Sequence, residues 1–498
     1  MTVAGISVIP GHSLGALALG ASIHEILCII KADREHYPAI DLHYSQTEPL
    51  ATPVVVSLPE NGLRLRFDGA DQRLRLIEVM DFRNIKLVYK GNELVKTNED
   101  NATSSGPAFK RIYSLFGPSY PGEYLAPQNR SPTGTYVLSW SGVAFTFPLQ
   151  HSAWSKEKDH VSLLGSHVAS PATHMALFDG KSWPEARRDL FVKQPTGPRL
   201  SALATRPKDS LPAELDAAQI PGNGRIELLR GQTPSFLITL NETTPQDLIT
   251  ELGPPDATHR REQEATTSEP SSHRRTGSSS RPLSVGRMHP GSQPSSYSST
   301  GTDTFDADFD SGSTDEDSTE RSCRERFWCY FSHGLDILIG PPNEAPPSAD
   351  DASLATPLST SPHLVVTKVT LHGNIPGSYA FNRHRRLRWT IALPTTHEPL
   401  TSEQHFEHTM KPALLSALTT SSDTQESINE MGKGKVVNRT WGGSNGPSDS
   451  SFFLPDADED LGEGGASEQW LGNTKLFAFP GLVFEVLEGG GVGALTVC

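Results

Sequence analysis

One pattern recurs along the chain and limits what it can fold into: a glycine, an alternating apolar strand, a break, then a second alternating strand. Gly62-Leu63-Arg64-Leu65-Arg66-Phe67 is followed by Leu74-Arg75-Leu76-Ile77-Glu78-Val79. Gly334-Leu335-Asp336-Ile337-Leu338-Ile339 is followed, after a polar stretch, by Val365-Val366-Thr367-Lys368-Val369-Thr370-Leu371. Gly142-Val143-Ala144-Phe145-Thr146-Phe147 is a shorter copy. Gly481-Leu482-Val483-Phe484-Glu485-Val486 and Gly493-Ala494-Leu495-Thr496-Val497 close the chain. Alternation at period two gives a strand one buried and one wet face, which is the signature of an antiparallel meander.

Two helices punctuate these strands. Ser22-Ile23-His24-Glu25 has the form of a capping box, and Ile23, Ile26, Leu27 and Ile30 then supply an apolar stripe. Thr244-Pro245-Gln246-Asp247 starts a second helix, with proline where its missing N–H costs nothing. Leu248, Ile249 and Leu252 are expected to face inward, and Gly253-Pro254-Pro255 stops the helix. The predicted fold class is therefore α+β and β-rich: repeated helix-plus-antiparallel-meander modules with long disordered insertions.

The domain map places a first α+β module, with an additional strand pair, over 1–150. A second spans 151–255 plus 325–392, interrupted at 256–324. Residues 393–469 are expected to be mostly flexible linker, with helical character near Lys411 to Leu418, and 470–498 a C-terminal strand pair packing on the body. The interruption is nearly free of aliphatic residues, so it cannot bury enough apolar area to offset its ordering entropy. Its first half carries Arg260, Arg261, Arg274, Arg275, Arg281 and Arg287, whereas Asp303 to Glu320 is acidic and lacks basic residues. Ser278, after Arg274-Arg275, and Ser284, in Arg-Pro-Leu-Ser, are candidate phosphorylation sites for a basophilic kinase.

Composition excludes several function classes. Hydrophobic residues make up only 36% of the 498, so part of the length lies outside any core. A formal charge of -15 argues against nonspecific nucleic-acid binding, which needs a basic face. The four cysteines, at 28, 323, 329 and 498, show neither metal-ligand spacing nor a disulfide framework, which fits a reducing compartment. Met1 to Pro10 lacks the basic and apolar regions of a signal peptide, and no stretch approaches the roughly 18 apolar residues of a membrane span.

Three motifs invite a chemical reading. Gly11-His12-Ser13-Leu14-Gly15 matches a nucleophile elbow, but only ten residues precede it, too few for the sheet and oxyanion loop an elbow requires. A β-to-α turn is expected there instead. His405 and His408 would lie one helical turn apart, in a polar and uncapped neighbourhood that reads as a surface loop rather than a metal site. Arg383, Arg385, Arg386 and Arg388 form the dense basic stretch and are candidates to contact acidic lipid headgroups or an acidic partner. The commoner reading of such a stretch is one solvated strand face, with Phe381, Leu387 and Trp389 partly inward.

Read together, these segments resemble the phagosome assembly factor 1 family. The resemblance is carried by Ser13-Leu14-Gly15, Leu42-His43-Tyr44-Ser45 with Glu48-Pro49-Leu50, and Gly62 to Asp68 with Gln72 to Val79. Phe116-Gly117-Pro118-Ser119-Tyr120-Pro121-Gly122 and Gly142 to Phe147 continue it. So do Gln246-Asp247-Leu248 with Leu252-Gly253, Tyr330 to Leu338, Leu371 to Gly377 and Phe484-Glu485-Val486. The resemblance implies a cytoplasmic, non-enzymatic adaptor in autophagy, with no catalytic residue, cofactor or metal. It further implies association with a β-propeller (WD40-type) protein. That partner would bring the chain to the phagophore assembly site and, indirectly, to phosphoinositide-containing autophagic membrane. The alternatives are a trafficking factor at another compartment such as the trans-Golgi, and a serine hydrolase using Ser13. Docking on ubiquitin-like autophagy modifiers uses an exposed aromatic followed three residues later by Leu, Ile or Val. Trp140-Ser141-Gly142-Val143 has that spacing but falls in a predicted core strand, so recruitment through the partner is expected.

Overall fold

The computed structural model describes residues 5–95, 106–127, 132–166, 169–192, 214–231, 233–260, 325–342, 363–393, 398–418, 431–438, 452–453 and 473–498. Among the described residues, Met1–His259 with Arg326–Cys498 forms one compact unit. The expected disordered insertion, including Ser278 and Ser284, lies almost wholly outside the described residues.

In the first half, β1 (Ile6–Ile9), β2 (Ser13–Leu14) and β3 (Leu17–Ala18) make a tight meander, followed by α1 (Ile23–Ala32). The Ser22 hydroxyl accepts from Glu25 N at 3.2 Å while the Glu25 carboxylate accepts from Ser22 N at 2.8 Å, so the capping box is formed. A second meander follows: β4 (Asp41–His43), β5 (Val54–Leu58), β6 (Leu63–Phe67) and β7 (Leu74–Val79). Its strand β6 shows the expected strict alternation of buried and half-buried residues. Then β8 (Leu87–Tyr89) returns parallel to β1, with β9 (Asn92–Glu93) beside it. After α2 (Phe109–Phe116) come β10 (Glu123–Leu125), β11 (Thr133–Trp140) and β12 (Val143–Gln150). Helix α3 (His160–Leu164), β13 (His174–Phe178) and α4 (Trp183–Asp189) complete the half. The sheets run β3-β2-β1-β8-β9 and β10-β11-β12-β13-β7-β6-β5-β4.

The second half repeats this plan. The meander β14 (Ala217–Gly222), β15 (Arg225–Arg230) and β16 (Thr233–Thr239) precedes α5 (Pro245–Leu252), which Thr244 and Asp247 cap reciprocally. Strands β17 (Ala257–Arg260), β18 (Arg326–Tyr330), β19 (Leu335–Gly340) and β20 (Val365–His372) follow. Then β21 (Arg388–Ile391) returns parallel to β14, as β8 does to β1, with β22 (Leu400–Thr401) alongside. After a π-helical turn, Phe406–Met410, and α6 (Lys411–Leu418) come β23 (Lys435–Asn438) and β24 (Phe452–Phe453). The chain ends with β25 (Asn473–Phe479), β26 (Leu482–Val486) and β27 (Val492–Val497). The sheets run β16-β15-β14-β21-β22 and β17-β18-β19-β20-β27-β26-β25-β23-β24. Strand for strand this is the first half again, with β24 added. Each half has its own core, around Leu14, Ile23, Phe67 and Phe147 in one and Trp389, Phe406, Phe477 and Phe484 in the other.

The chain is α+β and β-rich, but several boundaries differ from expectation. The first module does not end at 150, because β13 pairs with β7 and carries the sheet to Phe178. The C-terminal strands are not a pair laid on the body; β27 pairs with β20 in mid-sheet. Period-two alternation identifies a strand's faces but not its neighbours, so the pairing of β13 and β27 is set by the tertiary structure alone. The expected linker 393–469 contains core: Phe406, Met410 and Leu414 are buried. Ile249 faces out at 42% exposure, since a two-turn helix that buries Leu248 and Leu252 turns the next residue about 100° away.

Candidate functional site

The basic stretch runs through the connection between β20 and β21, residues 373–387, into the first residue of β21, where the two halves meet. The turn from β6 to β7 forms the opposing socket. Gln72 Nε2 donates to Asn374 O at 2.7 Å and Asn374 Nδ2 donates back to Gln72 Oε1 at 2.8 Å. Asn374 Oδ1 also accepts from Asn382 N at 2.6 Å. The connection passes so close to the β18–β19 turn that a Cβ on Gly334 would lie 2.4 Å from Arg385 O. Gly334 also has φ +75°, so glycine is required there twice over.

The arginines of this stretch are spent inside the protein. Arg386 has no exposed side-chain surface and donates to Ala70 O at 2.6 Å, Gly373 O at 2.7 Å and Ser402 Oγ at 3.2 Å, with Glu403 at 3.3 Å. Arg385 pairs with Glu214 at 2.8 Å and donates to Leu215 O, and Arg73 of the first half shares the same Glu214. Arg388 bridges Glu403 at 2.7 Å and Asp71 at 3.0 Å. Arg75 holds Asp68 at 2.6 Å. Burial works to raise the Asp71 and Glu403 carboxyls, but the surrounding guanidiniums outweigh it and hold both below the usual carboxylate range. The expected lipid or acidic-partner contact therefore does not fit Arg385 and Arg386, and a solvated strand face does not describe them either. Arg388 is already paired, and Arg383 alone of the four is exposed.

Beside this junction sits a second polar cluster. Asp336 on β19 accepts from His372 Nε2 at 2.9 Å on one oxygen and from His384 Nε2 at 2.8 Å on the other. The two imidazoles stack, with centroids 3.7 Å apart and planes 8° from parallel. Cys329 of β18 is paired directly with Asp336 across the sheet, and its thiol is pushed up, first by burial and then by that carboxylate. Burial works to raise Asp336, but its two histidines drive it well below the carboxylate range. Among the described residues this is the group whose nitrogen and oxygen atoms converge as metal ligands do. The sequence hides it, because 36 and 12 positions separate its members and a run of arginines has the composition of a solvated face. The one signal was an aspartate inside the apolar run Leu335 to Ile339.

The other candidates fall elsewhere. Ser13 is buried in the β1–β2 hairpin, and two further strands precede α1, so Gly11 to Gly15 is neither the strand-to-helix turn of a nucleophile elbow nor the expected β-to-α turn. His405 and His408 are exposed and stack at 4.2 Å, with His405 capping the π-helical turn rather than lying in an uncapped loop. A hollow of about 410 Å³ near α2 and α3 is lined by Phe109, Lys110, Tyr113, Val161 and small serine and glycine residues. No helix among the described residues is long and apolar enough to cross a membrane.

The family model for phagosome assembly factor 1 matches residues 13–282 and 310–498. A PHAF1 protein of Arabidopsis thaliana is 23% identical over 494 residues, covering 98% of this chain and 91% of that protein. A PHAF1 protein of Drosophila melanogaster is 24% identical over 80% of this chain and 77% of its own length. One of Caenorhabditis elegans is 30% identical over 130 residues, about a quarter of each chain. No solved structure matches the chain.

Proposed function

The chain belongs to the phagosome assembly factor 1 family, and from that premise we propose that it is a non-enzymatic adaptor in autophagy. It binds a β-propeller (WD40-type) partner in the cytoplasm and is brought with it to the membrane where autophagosomes form. The family match along both halves of the chain is the observation that carries this reading. The architecture supports it: ion pairs at the junction, Arg73 with Glu214 and Arg388 with Asp71, hold two duplicated halves as one platform, a device suited to presenting surfaces. Recruitment runs through the partner. Trp140 and Val143, which have the spacing of a modifier-docking motif, are 5% and 0% exposed in the β11–β12 hairpin and are not available to add a strand elsewhere.

Affinity purification of the tagged full-length chain, with and without nutrient withdrawal, tests the proposal. Stoichiometric recovery of a propeller protein is expected, together with puncta that appear on starvation. Recovery of no propeller partner in either state would sink the reading. Constitutive residence at the trans-Golgi would transfer the chain to the trafficking alternative.

A further inference from the structure

We propose that Asp336, His372 and His384 bind a divalent transition-metal ion, zinc by the character of the donors, which fastens the connection 373–387 to the sheet of the second half. The proposal stands independently of the function proposed above. Three segments converge to make the site: β19 supplies the carboxylate, the end of β20 supplies His372, and the connection supplies His384. Their ligand atoms lie within 4.8 Å of one another, and both histidines present Nε2. Zinc bonds to imidazole nitrogen and carboxylate oxygen are about 2.0–2.2 Å long, so an ion can replace the two hydrogen bonds with small side-chain turns. Those turns open the stack so that the nitrogen lone pairs converge.

The donor set decides the class of ion. Two imidazoles and one carboxylate suit zinc and its first-row neighbours, whereas magnesium and calcium take oxygen. His384 Nε2 carries its proton on the bond to Asp336, and Nδ1 is buried without a hydrogen bond, so moving that proton to Nδ1 frees the Nε2 lone pair for a metal and breaks only the bond to Asp336. Asp336 and His372 keep 20% and 16% of their side chains exposed, which gives an ion a way in.

The duplication supplies an internal control. In the first half, Met80 N donates to Gly62 O as His372 N donates to Gly334 O, at 2.7 and 3.0 Å. Arg64 stands where Asp336 stands, two residues after the glycine, and it pairs with Ser57 as Asp336 pairs with Cys329. Arginine, methionine and serine occupy the places of aspartate, histidine and cysteine. The same sheet is built without a counterpart of Asp336 or His372, so packing alone does not call for them.

The test uses the full-length chain without a histidine tag, stripped with chelator and then offered zinc or cobalt alone. About one equivalent of zinc by elemental analysis is expected, with a rise in Tm and, for cobalt, visible d–d absorption. His372→Gln, at a partly exposed ring, should bind at least about 100-fold more weakly. His405→Gln/His408→Gln, which removes the exposed pair, should bind as the parent does. Failure of the folded parent to take up either metal overturns the proposal, as does uptake that survives His372→Gln or disappears in the surface variant. The cobalt spectrum of the parent keeps the question decidable even if a variant does not fold.

Discussion

Arg386 directs its guanidinium to two backbone carbonyls, Ser402 and Glu403, and one of those carbonyls, Ala70 O, belongs to the other half. Truncating it strands these acceptors and leaves Asp71 and Glu403 to Arg388 and Arg75. Arg386→Met is expected to lower stability by about 3–5 kcal/mol, read from the denaturant midpoint. Nearby, His333 is pushed down to about 4, first by burial and then by Arg385, while Asp256, Glu214 and a backbone bond to Leu252 pull the other way. An unfolded imidazole titrates near about 6.5, so on acidification the unfolded state takes up the proton first. The stability due to neutral His333 is whole above that value and is lost as pH falls toward about 4. Urea midpoints should register a loss of about 2 kcal/mol for this group between pH 7 and 5, and His333→Gln should flatten that slope. A slope unchanged by the substitution would assign it to other groups, His384 and His24 among them. None of this was legible beforehand. A run of arginines has the same composition whether it faces lipid or buried carboxylates, and only the opposing turn decides between them.

At the scale of elements, the equivalent hairpins β11–β12 and β25–β26 separate local from tertiary demands. Gly142 and Gly481 both turn with positive φ, +76° and +72°. A Cβ on Gly481 would meet nothing nearer than Cys498 O at 3.5 Å, whereas one on Gly142 would lie 2.1 Å from Gly11 N. Gly11 N donates to Gly142 O at 3.0 Å, so this hairpin is seated on the β1–β2 turn. Gly481→Ala should therefore cost about 1–2 kcal/mol, the strain of a left-handed alanine. Gly142→Ala should cost clearly more, because backbone must move as well. Thermal melts of the two variants side by side check this, and equal losses would mean that the contact with Gly11 is dispensable. The sequence marked both glycines, the Ser22 capping box and the Thr244 helix start, since turn and cap chemistry is local. It marked helical character only at 411–418 and not the turn 406–410 before it, because that short polar-flanked turn is held by Phe406 packing on Phe477 and Phe484, partners far along the chain.

At the scale of the whole molecule, β17 and β18 are neighbours in the sheet although 261–324 lie between them in sequence. Replacing 261–324 with a short Gly/Ser linker should leave Tm and propeller-partner recovery unchanged. A marked loss of either would make that segment part of the core or of the interface.

The residues by themselves determined the strand faces, the two capped helices, the recurrence of the module and the family, because alternation, caps and turn glycines are short-range signals. The tertiary structure alone decided the parallel returns of β8 and β21, the docking of β13 and β27, and the use of the basic stretch. It also gathered Asp336, His372 and His384. Each of these depends on which distant segment lies opposite, and pairing energy between remote segments leaves no periodic mark on either one.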